Sequence, residues 1–116
     1  LNKISFLKKK LLRKTDLIII DEISMVSKKL FNAINNRLNE VEYKGKLLIV
    51  GDFYQLPPVN VENEGWAFES KWWNYWEFEK IELTIIKRTS HPEFSKVLLK
   101  LRDASFDDKD IEFIYN

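Results

Sequence analysis

The sequence predicts an α/β fold built on a parallel sheet, and three stretches of the chain indicate it. Two short apolar runs, residues 17–20 (LIII) and 47–50 (LLIV), read as strands. Continuous runs of this kind are typical of strands that are buried on both faces of a parallel sheet. Between them, apolar residues recur at the spacing of a helix face: Leu30, Phe31, Ile34, Leu38 and Val41. We therefore predict a βαβ unit whose two strands run in the same direction.

Acidic residues follow both predicted strands. Asp21 and Glu22 come directly after the first strand, and Gly51 and Asp52 come directly after the second. Because parallel strands end at the same edge of a sheet, we expect the three carboxylates to emerge together. Ligands of open α/β sheets bind at that edge.

Composition narrows the possible functions. The 116 residues are 45% hydrophobic and 32% charged, which suits one soluble domain or part of one. The chain has no cysteine and a single histidine, His91, which exclude disulfides and make a zinc site improbable. It has no apolar run of membrane-spanning length and no signal-peptide pattern. We expect a cytoplasmic, nucleoid-associated protein, or a nuclear or mitochondrial one in a eukaryote.

Two surface stretches have both a functional and a structural interpretation. Residues 1–15 predict a basic amphipathic helix, whose charges suit either a phosphate backbone or, more commonly, solvent. All four tryptophans fall within residues 66–76 and could stack on unpaired bases. Nearby glutamates would repel a phosphate chain, so the pattern favours a packing surface.

The last third of the chain predicts one strand and two helices. The alternation of Ile81, Leu83 and Ile85 with polar residues is typical of a strand leading to residues 87–88. Ser90 and Glu93, with Pro92 between them, then form a capping-box pattern that opens a helix. A final helix is expected to begin at Asp107 or Asp108.

The acids at the strand ends suit nucleotide hydrolysis. A first carboxylate, Asp21, can hold Mg²⁺, while a second, Glu22, can polarise an attacking water. Gln55 lies in the loop 51–59 and offers an amide that can sense a terminal phosphate or a water. Pro57 and Pro58 stiffen this loop.

Two motifs resemble those of superfamily 1B DNA helicases of the PIF-type and RecD-like kind. Motif II, or Walker B, is similar to DLIIIDEISMV at residues 16–26, and motif III is similar to KLLIVGDFYQLPPV at residues 46–59. The resemblance continues through residues 67–73, 82–88 and 91–102. It covers nearly the whole chain, in the family's order and at its spacing.

The resemblance implies a fold and a function. The chain resembles a partial RecA-like P-loop NTPase domain, a parallel sheet with flanking helices that lacks the P-loop strand. Residues 1–88 would be the later part of the first motor domain, and residues 89–116 a helical segment leading toward the second. The implied activity is ATP hydrolysis coupled to 5′ to 3′ movement on DNA, with ATP and Mg²⁺ as cofactors. Single-stranded DNA and duplex junctions are the implied partners, in repair, recombination or telomere maintenance.

The resemblance also assigns roles to five residues. Asp21 would coordinate Mg²⁺, and Glu22 would activate the water. Gln55 would contact the γ-phosphate and couple its loss to movement, with Asp52 supporting that loop. Arg88 resembles the motif IV arginine that reaches the phosphates. The family commonly has glutamine after this arginine, where this chain has Thr89.

The sequence lacks one part of the family's nucleotide site. Its glycines lie only at positions 45, 51 and 65, so no GxxxxGK[ST] loop can be written. We expect a fragment whose partner is the rest of the helicase chain, and which alone binds nucleotide weakly and hydrolyses none. The alternatives are a non-catalytic RecA-like binding or assembly module, and part of a superfamily 1 RNA helicase or RecD-type nuclease subunit. The DEIS form of motif II and the HPEF helix favour the PIF-type kind.

Overall fold

The structure is a computed structural model of the chain. It describes residues 3–85, 87, 91–105 and 107–115, with backbone alone for residues 114 and 115. Arg88, Thr89 and Ser90 lie outside the described residues. The chain divides into two compact units, Leu1–Glu79 and Lys80–Asn116. No helix in the described part of the chain has the length and apolar character needed to cross a membrane.

The first unit contains the predicted βαβ arrangement. Its elements are helix α1 (Phe6–Lys14), strand β1 (Leu17–Ile20), helix α2 (Lys28–Glu40), strand β2 (Lys46–Ile49) and the short helices α3 (Val61–Glu64) and α4 (Lys71–Tyr75). Ser27 caps the N-terminus of α2, because its Oγ accepts from the Leu30 N–H at 3.1 Å. Single 3₁₀ turns at Ile23–Met25 and Ala67–Glu69 complete the unit.

The two strands pair in parallel, as predicted, with Ile20 opposite Ile49. The expectation that both faces are buried is wrong for the described chain. Leu17, Ile19 and Leu48 share one face and are 47%, 57% and 46% exposed. Ile20 and Ile49 lie on the other face and pack against the core. Within the described residues the sheet has only two strands, and helical segments cover one side of it, which explains the alternating burial.

Helix α2 and residues 66–78 form what we call the aromatic–asparagine layer. Phe31 of α2 is completely buried and lies 5.7 Å from Trp73, measured between ring centroids. Three asparagine side chains of α2 accept hydrogen bonds from the other segment: Asn32 from Ser70, Asn35 from Trp76 and Asn36 from Trp72. The tryptophans are half-buried, which confirms that they act as a packing surface.

The predicted basic helix forms as α1, and part of its charge is directed at the end of α2. The Arg13 guanidinium donates through Nε to the Val41 carbonyl at 3.0 Å and lies 3.8 Å from Glu42. Lys9 lies 4.0 Å from Glu40. These contacts neutralise carbonyl and carboxylate groups at the C-terminal end of α2, where cations are favourable.

The second unit contains two helices, and two expectations for it are corrected. Residues 81–85 form no strand: Ile81, Leu83 and Ile85 are 81%, 87% and 73% exposed, and alternation produces a strand only where a neighbouring strand is available for pairing. Helix α5 (Pro92–Arg102) is capped by His91, whose Nδ1 accepts from the Phe94 N–H at 3.4 Å, so the helix starts one residue later than the predicted Ser90 cap implies.

The last helix, α6 (Asp108–Tyr115), begins as expected. Asp107 and Asp110 exchange hydrogen bonds, each side chain accepting from the other residue's N–H, at 2.9 and 3.0 Å. Lys100 of α5 donates to both carboxylate oxygens of Asp110 at 2.9 Å. The two helices of this unit are therefore joined by one charged contact, which we call the lysine–aspartate clasp.

Candidate functional site

The carboxyl ends of β1 and β2 meet at one edge of the sheet, and Val50 connects them. The Val50 N–H donates to the Ile20 carbonyl at 2.9 Å, and the Val50 carbonyl accepts from the Ile23 N–H at 3.0 Å. Asp21 and Glu22 are the two residues between these hydrogen bonds. The acids that follow β1 are thus held directly beside the residues that follow β2, as the sequence predicts.

Asp21 and Glu22 form a tight turn with exposed side chains. Glu22 has a left-handed backbone, with φ 51° and ψ 48°. For a residue other than glycine this conformation costs about 1–2 kcal/mol. The Asp21 carboxylate offsets part of this cost, since its Oδ1 accepts from the Glu22 N–H at 2.8 Å. The next residue, Ile23, is only 2% exposed, so its buried side chain anchors the turn that carries the two exposed carboxylates.

Gly51 permits the close approach of this turn to the end of β2. Its φ is 152°, a conformation that side chains rarely adopt. A Cβ at this position would lie 2.8 Å from the Ile23 backbone nitrogen and 2.9 Å from Ile23 Cγ2. Any side chain at position 51 would therefore push the Asp21–Glu22 turn away from the end of β2.

Residues 52–55 form a second turn at the same edge. Asp52 shapes it, because its Oδ1 accepts from the Tyr54 N–H at 3.0 Å and its carbonyl accepts from the Gln55 N–H at 3.1 Å. The side chains of Tyr54 and Gln55 are exposed, and Pro58 further along the loop is buried. Asp52 thus has the geometry of a residue that supports the Gln55 loop, and the edge presents two polar turns side by side.

Phe53 anchors this second turn, a role that the sequence alone does not predict. Its ring contacts Phe68, Trp73 and Trp66 at centroid distances of 5.0, 5.8 and 6.1 Å, all edge to face. The available signal was an apolar aromatic residue in the loop 51–59, in a chain with an aromatic segment downstream. The sequence alone could not connect the two.

The edge suits a divalent cation that is held partly by its substrate. No three histidine, cysteine, aspartate or glutamate side chains converge on a possible metal position within the described chain. Mg²⁺ is usually held by only one or two carboxylates, with waters and substrate phosphates completing its shell. Asp21, exposed and with one oxygen engaged by a backbone N–H, fits that partial role. Arg88 lies outside the described residues, so its placement relative to this edge is not described.

The chain is similar in sequence to a family of known proteins. Residues 3–112 match the sequence profile of the PIF1-like helicases. The ATP-dependent DNA helicase Pif1 of Campylobacter jejuni is 43% identical over 112 residues, which cover 90% of this chain and 25% of that protein. The chain therefore spans about a quarter of the length of that curated relative.

Two solved structures have the same fold. The crystal structure of Bacteroides Pif1 bound to single-stranded DNA matches with a TM-score of 0.86 and 31% identity, covering 97% of this chain and 30% of that one. That of Bacteroides sp. Pif1 in complex with ADP-AlF4 matches with a TM-score of 0.78 and 32% identity, covering 95% and 29%. The expected α/β fold of a helicase RecA-like domain is confirmed. The chain belongs to the PIF1-like helicase family.

Proposed function

We propose that this chain is part of an ATP-dependent DNA helicase, which couples ATP hydrolysis to 5′ to 3′ movement on single-stranded DNA and to unwinding at duplex junctions. The observation that carries the proposal is the pairing of two turns at one sheet edge, Asp21–Glu22 and Asp52–Gln55, in a member of this family. The relatives bound to single-stranded DNA and to ADP-AlF4 support the choice of nucleic acid and nucleotide.

Each polar group of the edge has a role in the proposed reaction. Asp21 would hold Mg²⁺, which would supply positive charge to neutralise the negative charge that develops on the phosphates. Glu22 would accept a proton from the attacking water, for which its exposed carboxylate is suitably placed beside Asp21. Gln55 would contact the terminal phosphate, and Asp52 would keep the Gln55 turn in shape. Arg88 would supply a cation to the transition state.

The exposed face of the sheet supports the proposal that the rest of a helicase chain completes this site. Leu17, Ile19, Leu48 and Val50 lie on that face, and each is more than two-fifths exposed. Contiguous apolar surface of this kind is typical of a covered interface. We propose that the segment carrying the P-loop strand covers it. Residues 1–88 would then complete the first motor domain, and residues 89–116 would lead toward the second.

The proposed function is tested on the full-length protein that carries this segment. We expect ATP hydrolysis that single-stranded DNA stimulates, and a loss of about 10²- to 10⁴-fold in kcat for Glu22→Gln. Glu77→Gln is the matched control, since Glu77 is also exposed and has a left-handed backbone, with φ 50°. It should retain the parent activity.

Two results would contradict the proposal. Full-length protein that binds DNA but shows no ATP hydrolysis would favour a non-catalytic module. Hydrolysis by the 116-residue chain alone that Glu22→Gln abolishes would show that the site needs no further segment.

The covered-face proposal has its own test. We expect the 116-residue chain alone to self-associate in light scattering, and a chain carrying Ile19→Ser and Leu48→Ser to be more nearly monomeric. A monodisperse, thermally stable parent chain would contradict the proposal that another segment covers this face.

A further inference from the structure

Phe53 is the one side chain between Asp52 and Leu56 that points into the protein core rather than toward solvent. Tyr54, Gln55 and Leu56 are all exposed, whereas Phe53 is half-buried and packs against the core cluster. Two hydrogen bonds fix the internal shape of the turn, one accepted by the Asp52 carboxylate and one by the Asp52 carbonyl. They do not fix where the turn lies relative to the rest of the site.

The rings around Phe53 form a defined socket. Phe68 and Trp66 stack on one another at 5.7 Å with an interplanar angle of 14°, and both meet the Phe53 ring in T-shaped contacts. Trp73 closes the socket from another direction and itself contacts Phe31 in the centre of the core. Edge-to-face contacts on several sides restrict the ring in orientation as well as depth.

The acidic turn is anchored in the same place. Ile23 directly follows Glu22 and is buried in a cluster with Phe31 and Ala67, against which Phe53 and Trp73 also pack. Glu22 and Gln55 are thus each within two residues of an apolar anchor, and both anchors belong to one cluster. The distance between the two functional side chains is therefore set by how the two anchors are packed.

We propose that Phe53 is a positioning residue that sets Gln55 against Glu22 for hydrolysis, acting through the socket of Trp66, Phe68 and Trp73. This inference rests on the proposed function of the same edge. A displaced turn would still bind nucleotide through other groups, but Gln55 would no longer meet the terminal phosphate or the water in a productive geometry. Misplacement of this size lowers the rate of the chemical step more than it lowers binding.

The test compares Phe53 with Phe78, a phenylalanine of the aromatic–asparagine layer, in the full-length protein. Phe53→Leu keeps an apolar side chain but removes the ring contacts. We expect kcat for DNA-stimulated ATP hydrolysis to fall about tenfold or more, while the Kd of a fluorescent ATP analogue changes by less than about twofold. Phe53→Tyr keeps the ring and should restore kcat to within about threefold of the parent.

Phe78→Leu is the matched control. Phe78 contacts Trp73 at 5.2 Å and Trp76 at 6.3 Å, so it belongs to the layer without being part of the loop 51–59. We expect it to lower the thermal midpoint about as much as Phe53→Leu does, with kcat within about twofold of the parent. If Phe53→Leu does not fold, Phe53→Met takes its place, since methionine fills irregular space without a ring.

The outcomes separate the two proposals. Equal losses of kcat in the Phe53 and Phe78 variants, or a loss that is entirely in nucleotide affinity, would overturn the positioning role while the parent remains an active helicase. A parent protein without DNA-stimulated hydrolysis would overturn the proposed function itself. A kcat loss confined to the ring-free Phe53 variants is the result that we expect.

Discussion

The aromatic–asparagine layer and the carboxyl edge of the sheet lie in the same unit but are built in opposite ways. In the layer, Phe31 is completely buried and the side chain of Asn35, 1% exposed, is hydrogen-bonded through both its oxygen and its nitrogen. At the edge, by contrast, the side chains of Asp21, Glu22 and Gln55 are exposed. The polar side chains of the layer are paired within the protein, and those of the edge are exposed to solvent.

The difference indicates that the layer and the edge have different roles, one in stability and the other in activity. Buried polar atoms that are fully paired cost little and fix one arrangement, so the layer can hold its neighbours at a constant distance. The exposed carboxylates at the edge add little to the free energy of unfolding. We therefore expect substitutions in the layer to change stability, and most substitutions at the edge to change activity.

Phe31→Ala should have the largest effect on stability. It removes a completely buried ring at the centre of the layer, and such truncations cost about 3–5 kcal/mol of the free energy of unfolding. Phe68→Ala is the control, because that ring is 44% exposed and should cost clearly less. Urea denaturation of dilute protein, followed by tryptophan fluorescence, measures both. Equal losses would mean that the layer is not centred on Phe31.

Gly51→Ala should be an exception to this division, because it lies at the edge and yet should lower the stability of the folded protein. Alanine would strain a backbone with φ 152° and place its Cβ 2.8 Å from the Ile23 nitrogen. We expect a loss of about 2–3 kcal/mol, from the strain and from the displaced turn. Val50→Ala changes the neighbouring residue, which lies on the exposed face, and should cost less. Urea denaturation that gives equal midpoints for Gly51→Ala and the parent would show that the turn can move without cost.

The sequence predicts the βαβ unit and the common edge well, because both depend on short-range patterns. The two apolar runs, the helical stripe between them and the acids at the strand ends each occupy a few consecutive residues. Parallel pairing then follows from the handedness of the crossover. The start of the last helix at Asp107 or Asp108 also depends on neighbours in the chain.

Other features depend on contacts between distant residues and were not predictable. One face of β1 is exposed, and residues 81–85 form no strand. Both features depend on which other strands are available for pairing, and the local sequence does not contain that information. The Phe53 socket joins residues 13 to 20 positions apart. The link between Trp76 and Asn35 spans 41 positions.

Asn35→Ala should have a smaller effect than the two substitutions above. It leaves the partly buried Trp76 Nε1–H without its acceptor, which lies 2.6 Å away in the parent, and such an unpaired donor costs about 1–3 kcal/mol. Asn36→Ala provides a close comparison, since Asn36 accepts from Trp72 at 3.2 Å on the exposed side of the same helix. Solvent can replace that bond, so we expect a loss below about 1 kcal/mol. Similar urea midpoints for the two variants would contradict the importance of burial here.

Removing the lysine–aspartate clasp of the second unit should have the smallest effect on stability at neutral pH. Its contribution to stability should, however, depend on pH. The layer uses neutral hydrogen bonds, whereas the clasp uses charges. The backbone N–H of Asp107 and then the Lys100 ammonium hold the pKa of Asp110 below its ordinary value of 3.8. The Asp110 carboxylate raises the pKa of Lys100 above its ordinary value of 10.5.

These shifts fix the sign of the pH dependence. A carboxyl group whose pKa is lower in the folded state contributes stability above its unfolded pKa, and loses it as the pH falls through the folded value. The clasp should therefore weaken below pH 3.8 on the acid side, and above pH 10.5 as Lys100 loses its proton. An NMR titration of backbone amides in residues 92–115 measures the acid limb. Asp110→Asn should remove the clasp's part of that limb, and Asp103→Asn, at an exposed carboxylate just after α5, should leave it in place. If the amide titration of Asp110→Asn at low pH matches that of the parent, other carboxylates cause the transition. The charged clasp would then be no more sensitive to pH than the neutral layer.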